Sequence, residues 1–182
     1  MLRLRHYPRL LLLLIFFVAA LQGCKQHDKA NTDNKRLTRS LQSSEAYFKN
    51  SQYKPALIEA VNALQASPSS EQATLQLAKI YNILGNYQTT LNLLTNKELT
   101  ATPDIIAKKI ETYIALKKPT LAKTTLKENT FIFQPDRTRQ YQVLLGLVAY
   151  EHNEWEVAEQ HFLDALNAQP ENLQNLIALA KV

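Results

Sequence analysis

The sequence predicts an all-α protein: an α-solenoid of antiparallel helix hairpins with about four repeats and one terminal helix. Three observations carry this. The 182 residues include only three glycines and are 46% apolar, with heavy use of Leu, Ala, Lys, Gln and Glu, a helix-forming composition with little material for tight turns. The segment from Tyr53 to Pro68 is matched by the one from Trp155 to Pro170, since Ala56, Ala63 and Pro68 recur at the same intervals as Ala158, Ala165 and Pro170. Self-similarity over a few tens of residues marks a repeat array, in which a hairpin cannot bury its apolar face alone and stacks on the next.

Residues 1–23 read as a leader. Arg3, Arg5 and Arg9 precede an apolar run from Leu10 to Ala20, which is shorter than the roughly 20 helical residues that cross a bilayer core. Cys24, the single cysteine, follows. Leu21, Gln22, Gly23 and Cys24 resemble the lipobox of bacterial lipoproteins, with Gln22 in place of the usual small or aliphatic residue. The resemblance implies cleavage before Cys24, lipidation of its sulfur and an acylated amino terminus, so attachment to the membrane runs through more than one chain. Residues 24–36 then comprise the lipidated Cys and a flexible tether, whose segment KQHDKANTDNKR has Ala30 as its only apolar residue. In the enteric sorting rule an aspartate after the lipidated cysteine retains a protein in the inner membrane. Lys25 stands there, which implies a lipid-anchored protein of the bacterial cell envelope, at the outer membrane and facing the periplasm.

The two matching units resemble the tetratricopeptide repeat (TPR), a helix hairpin of about 34 residues. Applied to residues 37–182, the resemblance implies a TPR domain with repeats at about 37–70, 71–102, 103–138 and 139–172, and a partial fifth at 173–182. In the second, Leu77, Ala78 and Tyr81 take the packing sites of the first helix, Gly85, Asn86 and Tyr87 make the turn, and Leu94 packs the second helix. Thr90 and Lys97 replace its two small alanines. The third keeps Tyr113, Ala122, Leu126 and Pro135, with Lys109 and Asn129 departing from the pattern; the fourth keeps Leu145, Gly146, Ala158, Phe162, Ala165 and Pro170. The anchors Ala56, Thr90, Ala122 and Ala158 are 34, 32 and 36 residues apart, so loop adjustments are expected near residues 100 and 133. Small residues suit the crossing of two helices, and larger apolar ones at helical spacing fill the rest of the contact. Pro55 and Pro119 fall in first turns of second helices, and Pro68, Pro103, Pro135 and Pro170 fall between hairpins. Leu173, Leu176, Leu179 and Ala180 repeat a first-helix pattern, either as a cap or as the start of further repeats.

Charge narrows the function. The net charge of +5 owes three units to the leader, and beyond it 18 Lys and Arg face 16 Asp and Glu. Residues 24–138 carry 16 basic and 10 acidic side chains, residues 139–182 carry 2 and 6, so the chain runs from a basic beginning to an acidic end. Such polarity suits orientation at an anionic surface, and no nucleic-acid motif appears. Neither His27, His152 and His161 nor the carboxylates have metal-ligand spacing, so no metal and no cofactor are expected. His161 reads as a surface or partly packed side chain. With so few glycines no phosphate-cradling loop can be built, and no serine sits in a nucleophile motif, so the protein is read as a non-enzyme. The run Glu151, Glu154, Glu156 and Glu159 and the lysines Lys108, Lys109, Lys117, Lys118, Lys123 and Lys127 read as solvated faces.

In tetratricopeptide arrays the first helices line a concave groove. The matching positions are Leu41, Glu45, Phe48 and Lys49, then Leu75, Lys79, Asn82 and Ile83, then Glu111 and Ile114, then Val143, Leu147, Tyr150 and Glu151. Apolar groups with isolated charges of both signs suit a protein or peptide partner docked there. The stretch AYFKNSQYKPALIEAVNALQASP, residues 46–68, with the leader and tether before it, is similar to the N-terminal part of repeat lipoproteins of exopolysaccharide and PEP-CTERM/exosortase systems. It is also similar to pilus-secretin pilotins and outer-membrane assembly factors. These resemblances imply a membrane-anchored scaffold or adaptor that binds protein partners in the cell envelope and serves exopolysaccharide or surface-protein export. The alternative from another class is an N-terminal fragment of a larger protein with a catalytic domain beyond residue 182.

Overall fold

The computed structural model describes residues 31–96, 99–133 and 138–168. The expected leader, Cys24, Lys97, Pro135, Pro170 and the partial fifth repeat lie outside the described residues. Helix α1 covers 31–49, α2 Tyr53–Ala66, α3 Glu71–Ile83, α4 Tyr87–Leu94, α5 Pro103–Ala115, α6 Pro119–Glu128, α7 Thr138–Glu151 and α8 Trp155–Ala168, with a 3-10 turn, η1, at Thr130–Phe133. Among the described residues there is no strand, and no helix is long and apolar enough to cross a membrane. The all-α fold class expected from composition and period is the one observed.

Alternation of helix types follows from how each helix starts. The first helices α3 and α5 open on capping hydroxyls: Ser70 Oγ accepts from Ala73 N–H at 3.2 Å, and Thr102 Oγ1 accepts from Ile105 N–H at 3.3 Å, with Glu71 and Asp104 in the positive first turns. The second helices α2, α4 and α6 have no side-chain cap. They are held instead by the turn that precedes them. Ser51, Gly85, Lys117 and Asn153 all take positive φ, at 57°, 74°, 55° and 61°. The next residue in each case donates its N–H five residues back: Gln52 to Tyr47, Asn86 to Tyr81, Lys118 to Tyr113 and Glu154 to Ala149, at 2.8 to 3.0 Å. This is the Schellman closure of a helix end, and it sets the reversal that makes each hairpin.

One boundary differs from the sequence reading. Residues 31–36, assigned there to the flexible tether, belong to α1. They carry no apolar residue, so hydrophobic periodicity could not report them. Extending an existing helix adds one hydrogen bond per residue ordered and needs no new nucleus, and Asp33 continues the half-buried stripe of Leu37 and Leu41.

The anchors Ala56, Thr90, Ala122 and Ala158 are all buried, despite their uneven spacing. Thr90 fits the alanine site because its hydroxyl turns back on its own helix, 3.4 Å from the Asn86 carbonyl. Ser44 plays a similar part in α1: it is fully buried, donates to the Ala56 carbonyl at 2.8 Å and accepts from Gln76 Nε2 at 3.1 Å. The core is a row of clusters along the stack. Ala56 and Ala60 of α2 meet Leu77 and Ile80 of α3, then Ala78 meets Leu94 and Ile105, then Ile106, Ile110, Ala122, Leu126, Phe133, Leu144 and Val148 bind the third hairpin to the fourth. The adjustment expected near residue 133 is η1, which turns Phe133 fully inward against Tyr141, with ring centroids 5.7 Å apart.

Candidate functional site: the groove along the first helices

Helix α3 packs on α5 and α5 on α7, so the first helices form one wall. A cavity of about 570 Å³ opens along it, lined by Leu41 and Glu45 of α1, Gln72, Leu75, Gln76 and Lys79 of α3, Asp104, Ala107, Lys108 and Glu111 of α5, and Gln140 of α7. Of the residues read as groove positions, Leu41, Glu45, Leu75, Lys79 and Glu111 are gathered here. The remaining lining residues share their helix faces: Gln72 and Gln76 precede Lys79 by seven and three residues, and Asp104 and Lys108 precede Glu111 by the same intervals. Helical spacing was therefore the signal that pointed to them.

The other expected positions are placed differently, most of them toward the hairpin turns. Phe48 sits under Lys79, whose Nζ is 4.1 Å from the ring centroid, and packs edge-on against Tyr53. Lys49 reaches Glu45 at 3.8 Å from the exposed side of α1. Asn82 Nδ2 donates to Thr112 Oγ1 at 3.0 Å, tying the second repeat to the third. Ile114 packs on the large core cluster, Leu147 and Val143 are half-buried, and Ile83 is exposed. Tyr150 stacks edge-on with Trp155 at 4.9 Å. Glu151 is drawn down by Lys117, 3.2 Å from both carboxylate oxygens, and Glu154 meets Lys123 at 3.5 Å. The basic third and acidic fourth hairpins thus meet across their seam, while Lys117, Lys123 and Glu154 keep the exposure expected of solvated faces. His161 is partly buried and pairs with Gln142 at 2.8 Å.

Inside the groove the charges are arranged in contacts of opposite sign. Glu45 takes Lys79 at 3.6 Å as well as Lys49, Lys108 pairs with Glu111, and Gln140 Nε2 donates to Asp104 Oδ1 at 3.0 Å. These groups are partly exposed, so each pair contributes at most about 1 kcal/mol to stability. Their consequence is a wall that offers carboxylate, ammonium and carboxamide groups at short intervals between Leu41, Leu75 and Ala107. Among the described residues no three His, Cys, Asp or Glu side chains gather in a way that could hold a metal.

No protein-family model and no curated protein matches the sequence. Solved structures do match the fold. A tetratricopeptide repeat protein from Parabacteroides merdae superposes with a TM-score of 0.63 at 16% identity, covering 87% of this chain and 65% of its own. The structure described as the MamA RS-1 ArsTM double mutant superposes with a TM-score of 0.58 at 15% identity, covering 76% of this chain and 78% of its own. The fold is a TPR-type α-solenoid.

Proposed function

We propose that this protein is a non-enzymatic scaffold, tethered to the cell envelope through Cys24, that holds a partner polypeptide in the groove along α1, α3, α5 and α7. The observation that carries the reading is the groove itself: about 570 Å³, open along several repeats, with apolar floor positions between charged and amide groups. An elongated site of this kind suits a peptide or helix, whose side chains recur along its length. The lipobox resemblance and the charge polarity of the chain support a bacterial membrane anchor at the outer membrane. The resemblance of residues 46–68 to export-system lipoproteins supports a role in exopolysaccharide or surface-protein export.

The experiment is site-specific photo-crosslinking in cells producing the full chain. A photoreactive residue at Gln72, exposed on the groove, is expected to capture a discrete partner, whereas one at Thr124, exposed on α6, captures none. Lys79→Glu with Lys108→Glu should abolish the adduct while the circular dichroism spectrum is unchanged. Equal adducts from both positions, or none from Gln72, overturn the groove reading. Incorporation of labelled palmitate into Cys24→Ser protein would separately overturn the anchor.

A further inference from the structure

A second cavity, of about 320 Å³, lies between α6, α7 and α8 and shares no residue with the groove. It falls at the lengthened repeat. The 36-residue interval between Ala122 and Ala158 accommodates η1, and α6 stops at Glu128 after 10 residues whereas α8 runs for 14. Helix α6 rests on α7 less extensively than α2 rests on α3. The seam between the third and fourth hairpins is left partly open.

The floor of this opening is apolar and buried: Leu126, Val148 and Ala149, with the half-exposed Val157 at the edge. Around it lie Lys123, Lys127, Glu154, Thr130, Tyr141 and His161, so two ammonium groups stand against one carboxylate. Lys123 is neutralised by Glu154 at 3.5 Å, but Lys127 has no ion pair among the described residues. Tyr141 also lines the cavity. The Thr130 hydroxyl approaches the Leu126 and Lys127 carbonyls at 3.2 and 3.0 Å, and these can only accept. The Thr130 and Tyr141 hydroxyls are 3.4 Å apart, with either able to donate, a distance well beyond the usual O–H···O range. So long a contact leaves the tyrosine hydroxyl able to donate to a nearer acceptor.

An apolar floor beside an unpaired ammonium and a loosely engaged hydroxyl calls for a ligand with the opposite arrangement. We propose that the seam binds an anionic amphiphile, a single short apolar chain ending in a carboxylate. The chain covers Leu126, Val148 and Ala149, and the carboxylate accepts from Lys127 Nζ and the Tyr141 hydroxyl. The volume is at the lower end of small-molecule sites, and burial of the chain supplies the driving force while the head group sets its direction.

The test is isothermal titration of the full chain with decanoate kept below its micelle concentration, alongside decanol, decyltrimethylammonium and a short acidic peptide. Decanoate is expected to bind saturably, one per chain, and more tightly than the other three. Lys127→Gln should weaken it about fivefold, the scale of one partly exposed charged hydrogen bond. Val157→Phe should remove binding by filling the edge of the cavity. Both substituted side chains are exposed, and unchanged thermal midpoints confirm that the fold is retained. Tighter binding of the cationic amphiphile, indifference to both substitutions, or binding of the acidic peptide in place of decanoate overturns the proposal.

Discussion

At Gly146 the helices of the fourth hairpin come so close that an added Cβ would lie 2.5 Å from the Phe162 ring. Two effects compete there. Alanine in place of glycine favours a helix by about 1 kcal/mol, while overpacking costs typically 1–3 kcal/mol. Because the ring belongs to a half-buried side chain and can shift, the net effect of Gly146→Ala is expected to be a loss of about 1 kcal/mol in chemical denaturation. In a Phe162→Ala background the clash is gone, and the same change should stabilise by about 1 kcal/mol. Retention of the loss in that background would place the strain elsewhere. The sequence identified Gly146 and Phe162 as a small and a large packing residue, and that their atoms meet is a property of the hairpin.

Each hairpin turn contains one residue of left-handed backbone, five before the anchor of the second helix, yet only one of the four is glycine. Gly85 has nothing within 4 Å of a built Cβ, so Gly85→Ala isolates the backbone cost. It should lower stability by about 1 kcal/mol with no steric contribution. Ser51→Gly relieves the same strain in the first turn, but glycine loses more freedom on folding, so a gain of only roughly 0.5 kcal/mol is expected. Equilibrium urea titrations of the two variants check both signs. The turn at Gly85 was legible as Gly85, Asn86 and Tyr87; those before Pro55 and Pro119 were legible in place, but their left-handed Ser51 and Lys117 were not, because tertiary packing of the two helices holds them against their local preference. The length of α1 was hidden for a related reason, since residues 31–36 have no apolar pattern to read and are ordered by the helix they extend.

Across the whole molecule stability passes from one hairpin to the next, and η1 is one link in that transfer. Phe133 is completely buried between the third and fourth hairpins. Phe133→Ala should cost about 3–5 kcal/mol, and the loss should be unevenly spread. Amide hydrogen exchange is expected to accelerate in α7 and α8 and to change little in α2 and α3. Uniform acceleration would show instead that the array unfolds as one unit. Such coupling also explains the candidate sites. Leu41, Glu45, Lys79 and Glu111 were legible as groove residues because one helix face repeats in each unit, but Asn82, Tyr150 and Glu151 share that face and are engaged at the turn end, through contacts with Thr112, Trp155 and Lys117. By itself, the sequence determined the helical class, the hairpin period and the small-residue anchors, because these follow from spacing and side-chain size along one chain. Only the tertiary structure decided which part of the shared face stays open as a groove, that the charges of the third and fourth hairpins meet, and that a cavity is left at their seam. Those outcomes depend on distances between residues some 30 or more positions apart, such as Lys117 and Glu151 or Lys123 and Glu154, which the stacking of hairpins brings together.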